Sequence, residues 1–161
     1  MTASEFNRCV DAYSDNVYRF ILKNLGDSDK SRDIVQDSFE KMWIKHSEIE
    51  VLKAKSYLFT TAYHTMIDNI RKDKRMEPST KIKAEKYVVD EQYSGLQEIL
   101  ADAVKKLPED QRSVIMLRDY EGYTYEEIAE ITGLNLAQVK VYIYRGRMFL
   151  KNYIGSMETV I

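Results

Sequence analysis

The chain has 161 residues, of which 44% are hydrophobic and 31% charged, and its formal net charge is −2. These proportions are typical of a soluble globular protein with one domain or two small ones. The longest uncharged run, 56–67, is too short to cross a bilayer, which excludes membrane insertion. Because the net charge is negative, a nucleic-acid binder of this composition must concentrate its cations locally.

Turn-forming and metal-binding residues are scarce. Two prolines and six glycines leave little material for β-turns and favour an all-α fold. The single cysteine, Cys9, excludes an internal disulfide and a cysteine-based zinc site, and we expect it to be a structural residue of the first helix. Two separated histidines and the lack of a glycine-rich phosphate loop predict no metal, no cofactor, no small-molecule substrate and no enzymatic activity. The N-terminus has no signal-peptide pattern, which predicts a cytoplasmic protein.

Two helices are predicted in the N-terminal part of the chain. The first spans about 6–25 and ends near Gly26. The second opens at Ser28 or Ser31 and carries a stripe of Ile34, Val35, Ser38, Phe39, Met42 and Trp43. Its outward face consists of Asp33, Gln36, Asp37 and Glu40, with Lys41 beside it. This acidic face does not favour DNA, and it is either solvated surface or a protein-binding surface.

A third helix, predicted over 54–74, has two distinct faces. Its core arc consists of Phe59, Ala62, Tyr63, Met66 and Ile70. Its outward arc consists of Tyr57, Thr60, Thr61, His64, Asp68 and Arg71, and it runs into the cations Lys72, Lys74 and Arg75. Aromatic rings can stack on bases and cations can follow the backbone of a single strand. A solvated helix whose C-terminal cations complement the helix dipole explains the same pattern.

A polar segment separates this part from a second helical domain. Residues 76–92 form the predicted flexible linker, in which 77–80 break the helix because the residue before proline disfavours helical angles. The domains are therefore predicted as 1–75 and 93–161. The second begins with an amphipathic helix, and Pro108 is predicted at the first position of the next helix. The apolar positions of the amphipathic helix are Leu96, Ile99, Leu100, Ala103, Val104 and Leu107.

The segment 123–151 predicts two capped helices joined by a tight turn. Thr124 and Glu127 form a capping box, Gly133 ends the first helix, and Asn135 with Gln138 forms a second capping box. Residues 119–130 carry five acidic side chains and no basic ones, whereas 136–151 carry four basic ones and no acidic ones. Together these features predict a DNA-binding helix-turn-helix rather than a generic helical hairpin.

The second helix of this pair has an inward and an outward face. We expect Val139, Ile143, Gly146 and Leu150 to pack inward, with Gly146 allowing a close helix approach. By position, the candidates for base readout are Ala137, Gln138, Val141 and Arg145. The candidates for phosphate contacts are Lys140, Tyr144 and Arg147.

Taken in order, these motifs resemble the sigma-70 family of RNA polymerase sigma factors. Residues 33–43, DIVQDSFEKMW, resemble the region 2 signature, and 56–72 resemble its promoter-melting part. Residues 107–112, 123–129 and 138–147 resemble region 4. The match covers nearly the whole chain and resembles the small two-domain extracytoplasmic-function (group IV) subclass.

The resemblance implies a function and partners. The factor would direct core RNA polymerase to specific promoters. The outward face of the second helix would bind the β′ clamp helices, so the resemblance favours a protein-binding surface over a solvated one. The β flap, promoter DNA and an anti-sigma factor are the other implied partners. The third helix and the loop beside it would capture the melted −10 strand, with His64 where the family often has asparagine, and the helix-turn-helix would read the −35 element. The alternative is a helix-turn-helix regulator with a helical sensor or dimerisation domain.

Overall fold

The computed structural model describes residues 1–76 and 95–158, and every regular element in these ranges is helical. This confirms the predicted all-α fold. The chain divides into two compact units, Met1–Lys86 and Tyr87–Ile161. The predicted helix break at 77–80, and all of the predicted linker except residue 76, lie outside the described residues. Among the helices that are described, none is both long and apolar enough to span a membrane.

Three helices make up the described part of the first unit. They are α1 (Ala3–Leu25), α2 (Ser28–Ile44) and α3 (Ala54–Met76), and two short 3₁₀ turns, His46–Glu48 and Val51–Lys53, join α2 to α3. The helices pack pairwise. Their fully buried side chains include Val17, Phe20, Ile21, Met42, Leu58, Phe59, Ala62 and Met66.

The ends of α1 and α2 follow from local chemistry. Thr2 and Glu5 form a capping box at the start of α1, and Gly26 ends it in the left-handed conformation at φ 70°. Asp27, rather than Ser28 or Ser31, caps α2 by accepting from the Lys30 amide. Cys9 lies buried in α1, where burial and then the Glu5 charge raise the pKa of its thiol. A thiol of this kind is a weak nucleophile, as expected of a structural residue.

The structure corrects three details of the first unit. Helix α3 continues to Met76, two residues beyond the predicted end. Trp43 is 44% exposed and does not complete the buried stripe. The predicted stripe is wider than the packed surface of α2, so Trp43 lies at its edge, where it contacts Phe6 and His46. Ile70, predicted in the core arc, is only half-buried, whereas Leu58 is fully buried and was not predicted.

The second unit is organised around one long helix. Its elements are α4 (Gly95–Lys106), α5 (Glu109–Ile115) with a π-helical turn at Met116–Tyr120, α6 (Tyr125–Thr132) and α7 (Leu136–Glu158). Helix α7 packs against α4, α5 and α6. The core includes Leu107, Val114, Ile115, Met116, Leu117, Ile128, Ile131, Val139 and Ile143.

Three features of the second unit differ from the prediction. Leu96, predicted on the apolar face of α4, is 58% exposed because burial along α4 increases only towards Ala103 and Val104, well beyond its first turn. Pro108 precedes α5 as its N-cap, since its ψ of 148° is not helical. The π-helical turn after Ile115 has no signal in the local sequence.

Candidate nucleic-acid and protein interfaces

The helix-turn-helix has the capping geometry that the sequence predicts. At the start of α6, the Glu127 amide donates to Thr124 Oγ1 at 3.1 Å and the Thr124 amide donates to Glu127 Oε1 at 2.9 Å. Gly133 ends α6 at φ 77°, in the left-handed region that favours glycine. A second reciprocal pair joins Asn135 and Gln138 at 2.8 and 3.0 Å. These contacts fix the direction in which α7 leaves the turn.

Helix α7 separates an inward face from an outward face. Val139, Ile143 and Gly146 are buried, and a Cβ atom at Gly146 would lie 2.8 Å from Cγ1 of Ile115. The predicted close approach of a neighbouring helix at Gly146 is therefore confirmed, and that helix is α5. All the outward residues predicted to contact DNA are exposed, namely Ala137, Gln138, Lys140, Val141, Tyr144, Arg145 and Arg147.

Two of these outward residues have partners that limit what they can contact. Gln138 Oε1 accepts from the Asn135 amide, so its carboxamide NH₂ is the group that can donate to a base or phosphate. Arg147 forms a two-pronged ion pair with Asp119, with Nη2–Oδ1 and Nε–Oδ2 distances of 2.5 and 3.2 Å. The hydrogen bond to Asp119 raises the pKa of Arg147. Sequence reasoning missed this pair, because nothing local links two residues that lie 28 positions apart.

The outward arc of α3 exposes polar and cationic groups in the predicted order. His64 and Asp68 are exposed, and Tyr57, Thr60 and Thr61 are half-buried. The Thr60 hydroxyl donates to the Ser56 carbonyl at 2.8 Å, which leaves its oxygen as an acceptor. The His64 ring contacts the edge of Tyr63. The exposed cations at the end of the helix are Arg71, Lys72, Lys74 and Arg75.

The end of α3 is tied to the start of α2. Lys30 Nζ pairs with Asp73 Oδ2 at 2.5 Å. Because Asp73 lies within the run of cations at 71–75, this pair anchors the last turns of α3 without using one of those cations. The arc can therefore offer three kinds of group to a single polar ligand such as a nucleic-acid strand: hydroxyl oxygens that accept hydrogen bonds, an imidazole ring and four cations.

The outward face of α2 presents carboxylates in fixed positions. Asp33, Gln36 and Glu40 are exposed, and Asp37 is half-buried. Lys41 lies beside them, 3.3 Å from Asp37 Oδ2, and it also donates to Thr65 Oγ1 on α3 at 3.0 Å. The face is thus acidic, and the adjoining Lys41 is held against α3. A basic protein surface is the partner that such a face fits.

Two family models match the chain in the order of its two units. The model described as "Sigma-70 region 2" matches residues 9–76, which include α2 and α3. The model described as "Sigma-70, region 4" matches residues 97–150, which include the helix-turn-helix. The chain belongs to the sigma-70 family.

Relatives of this sigma factor are named in the same way. It is 28% identical over 162 residues to the RNA polymerase sigma factor YlaC of Bacillus subtilis, covering 91% of this chain and 90% of YlaC. It is 26% identical over 178 residues to the ECF RNA polymerase sigma factor SigW of Bacillus subtilis, covering 94% and 90%. The relative from Haemophilus influenzae, an ECF RNA polymerase sigma-E factor, is 29% identical over 171 residues, covering 94% and 88%.

A solved structure shows the same fold. In the co-crystal structure of the sigma factor RpoE with the anti-sigma factor NepR from Bartonella quintana, the matching chain is 26% identical to this one, with a TM-score of 0.82 over 95% of this chain and 98% of that chain. The protein is thus an extracytoplasmic-function sigma factor. It acts in promoter-specific initiation of transcription with RNA polymerase and is not an enzyme.

Proposed function

We propose that this sigma factor divides promoter-specific initiation among three surfaces. The acidic face of α2, with Asp33, Gln36, Asp37 and Glu40, binds the β′ clamp helices of core polymerase. The outward arc of α3, from Tyr57 to Arg75, binds the unpaired −10 strand. The exposed face of α7, from Ala137 to Arg147, reads the −35 duplex. The observation that carries this assignment is the order of these exposed faces along the chain, acidic and then cationic twice.

In our proposal the first unit carries two of these surfaces and the second unit carries the third. Residues 1–75 bind core and the −10 element, 93–161 bind the −35 element and the β flap, and 76–92 link them. Melting needs no catalytic group, because binding energy for an unstacked strand offsets a few kcal/mol per step of lost stacking. We place the factor in the cytoplasm, where polymerase and promoter DNA are found. Because the related RpoE crystallised with an anti-sigma factor, we also propose an anti-sigma partner.

Run-off transcription from a promoter library tests the function. Core polymerase with this chain should give promoter-dependent transcripts that core alone does not give, while a well-characterised sigma factor shows that the core is active. If no such transcript appears, the function fails. A conventional regulator would instead protect duplex DNA without core polymerase.

Charge variants then test the assignment of the surfaces. Asp33→Asn with Glu40→Gln should weaken core binding and leave the chain folded, because both side chains are exposed. The matched control is Asp11→Asn with Asp15→Asn, two exposed carboxylates on α1. Lys72→Gln with Lys74→Gln should preserve core binding and reduce strand opening, measured by permanganate reactivity. Equal losses of core binding from the α1 and α2 pairs would contradict the assignment of α2.

A further inference from the structure

An exposed apolar residue lies at the C-terminal end of the acidic face of α2. Ile44, the last residue of α2, is 78% exposed, although the helix has a well-buried opposite side. Asp33, Asp37, Glu40 and Ile44 stand at i, i+4, i+7 and i+11. At about 100° per residue, these four positions fall within about 60° of one another. Ile44 therefore extends the acidic arc and does not lie on a separate surface.

The last turn of α2 is held in place from several sides. The Trp43 ring stacks on His46 with a centroid distance of 4.1 Å and an interplanar angle of 6°, and it meets the edge of Phe6 at 5.0 Å. His46 Nδ1 lies 2.6 Å from the Trp43 carbonyl, a contact in which the nitrogen donates. One turn earlier, Lys41 joins α2 to α3. Ile44 is thus presented by an ordered turn, which lowers the entropy lost when a partner binds it.

We propose that Ile44 is the apolar anchor of the polymerase-binding face and inserts into an apolar depression bordered by basic side chains on core polymerase. This inference rests on the proposed core-binding role of the acidic face. Protein interfaces concentrate their binding energy in a few desolvated side chains surrounded by polar groups. The carboxylates steer the encounter and set its orientation. Burial of Ile44 then prolongs the complex.

Charge decides between polymerase and other occupants. A second copy of the chain that met Ile44 through a two-fold contact would bring the same patch of both copies, and therefore two acidic faces, into one interface. Like charges in such a contact oppose association. DNA is disfavoured for the same reason, since its phosphates would approach Asp37 and Glu40. A basic protein surface with an apolar centre can pair with the carboxylates and also bury Ile44.

Kinetics of core binding by the full chain, without promoter DNA, test the proposal. Ile44→Ser should raise the dissociation rate about tenfold, the order expected for a residue of this kind at an interface. The association rate and its salt dependence should not change, because no charge is altered. The helix should persist, since isoleucine and serine have similar helix propensities. The matched control is Leu52→Ser, which should leave both rates unchanged, because Leu52 is a 95% exposed leucine in the 3₁₀ turn Val51–Lys53, outside the acidic face of α2.

The charge variant of α2 distinguishes a failure of the Ile44 anchor from a failure of the proposed core-binding face. Asp33→Asn with Glu40→Gln should slow association, most strongly at low salt. If this pair weakens binding and Ile44→Ser does not, the acidic face stands and the anchor is wrong. If neither changes core binding, the proposed core-binding face fails and the anchor fails with it. Concentration-dependent dimers of the wild-type chain that Ile44→Ser abolishes would also overturn the proposal, because Ile44 would then serve a second copy.

Discussion

Arg147 shows how the role of a side chain depends on a partner distant in sequence. Its position on α7 predicts a phosphate contact, but its guanidinium forms an ion pair with the Asp119 carboxylate. Both side chains are more than one-third exposed. Solvent screening therefore reduces the contribution of the pair to about 0–1 kcal/mol. A pair this weak can exchange its carboxylate for a phosphate, so we expect Asp119 to compete with promoter DNA for this one cation.

Replacing Asp119 tests this competition. Asp119→Asn should strengthen binding of the free chain to a −35 duplex several-fold at low salt. The slope of log K against log salt should steepen by up to about 0.9, the value for one additional phosphate contact. Fluorescence anisotropy across a salt series measures both quantities.

Arg147→Gln provides the control background. There, Asp119→Asn should change the duplex affinity much less, because only the general effect of removing a negative charge remains. Equal gains in the two backgrounds would show that Asp119 acts through its charge alone. Weaker binding by Asp119→Asn would show that the carboxylate orients Arg147 towards DNA.

At the scale of the element, the ends of α6 and the start of α7 were predictable because their chemistry is local. The capping residues Thr124, Gly133 and Asn135 lie within a few positions of the groups they satisfy, and the structure confirms each role. Periodicity also predicted which side of α7 is buried. The π-helical turn at Met116–Tyr120 and the exposure of Leu96 depend on how neighbouring helices pack, and local sequence does not encode that.

Gly146 offers a test of the packing between α5 and α7. Gly146→Ala should destabilise the second unit by about 1 kcal/mol. The new Cβ would overlap Cγ1 of Ile115, which is fully buried, and the cost of overpacking exceeds the gain in helix propensity. Urea denaturation followed by far-ultraviolet circular dichroism measures the loss. The only tryptophan, Trp43, lies in the first unit, so its fluorescence transition should not move.

Gly155 is the matched control on the same helix. It is exposed, and a Cβ there would meet nothing within 4 Å. Gly155→Ala should therefore stabilise the unit by about 0.5–1 kcal/mol through helix propensity alone. If Gly146→Ala stabilised the unit by the same amount, Ile115 would have to move aside at no cost, and the contact would not limit the approach of the helices.

For the whole molecule, the two-unit organisation followed from the order of motifs, whereas the contacts that hold each surface did not. The ion pairs Lys30–Asp73 and Arg147–Asp119 join residues 43 and 28 positions apart. Only the fold brings such partners together. The candidate surfaces were therefore predictable as exposed faces of helices, but the availability of each side chain on them was not.

The charge of the whole chain sets how it binds promoters. With a net charge of −2 and one cation of α7 paired to Asp119, the free chain should bind duplex DNA weakly at physiological salt. If core polymerase holds both units on one platform, as we propose, each contact raises the effective concentration of the other. The holoenzyme should bind promoter DNA about a hundredfold tighter than the free chain, or more. Anisotropy with a promoter selected by run-off measures both affinities, and a scrambled promoter is the control. Equal affinities would favour a self-sufficient duplex-binding regulator.

The arrangement of α7 bears on how factors of this kind diversify. Its inward residues Val139, Ile143 and Gly146 are buried against the rest of the second unit, while the outward residues predicted to contact DNA are exposed. If the exposed face of α7 reads the −35 duplex as we propose, substitutions at Ala137, Val141 or Arg145 would redirect the factor to other promoters at little cost in folding, because all three side chains are exposed. On this proposal, a new −35 specificity after a gene duplication would need only a few changes on one helix surface. The same separation would let an engineer build variants that do not recognise one another's promoters by exchanging that surface alone.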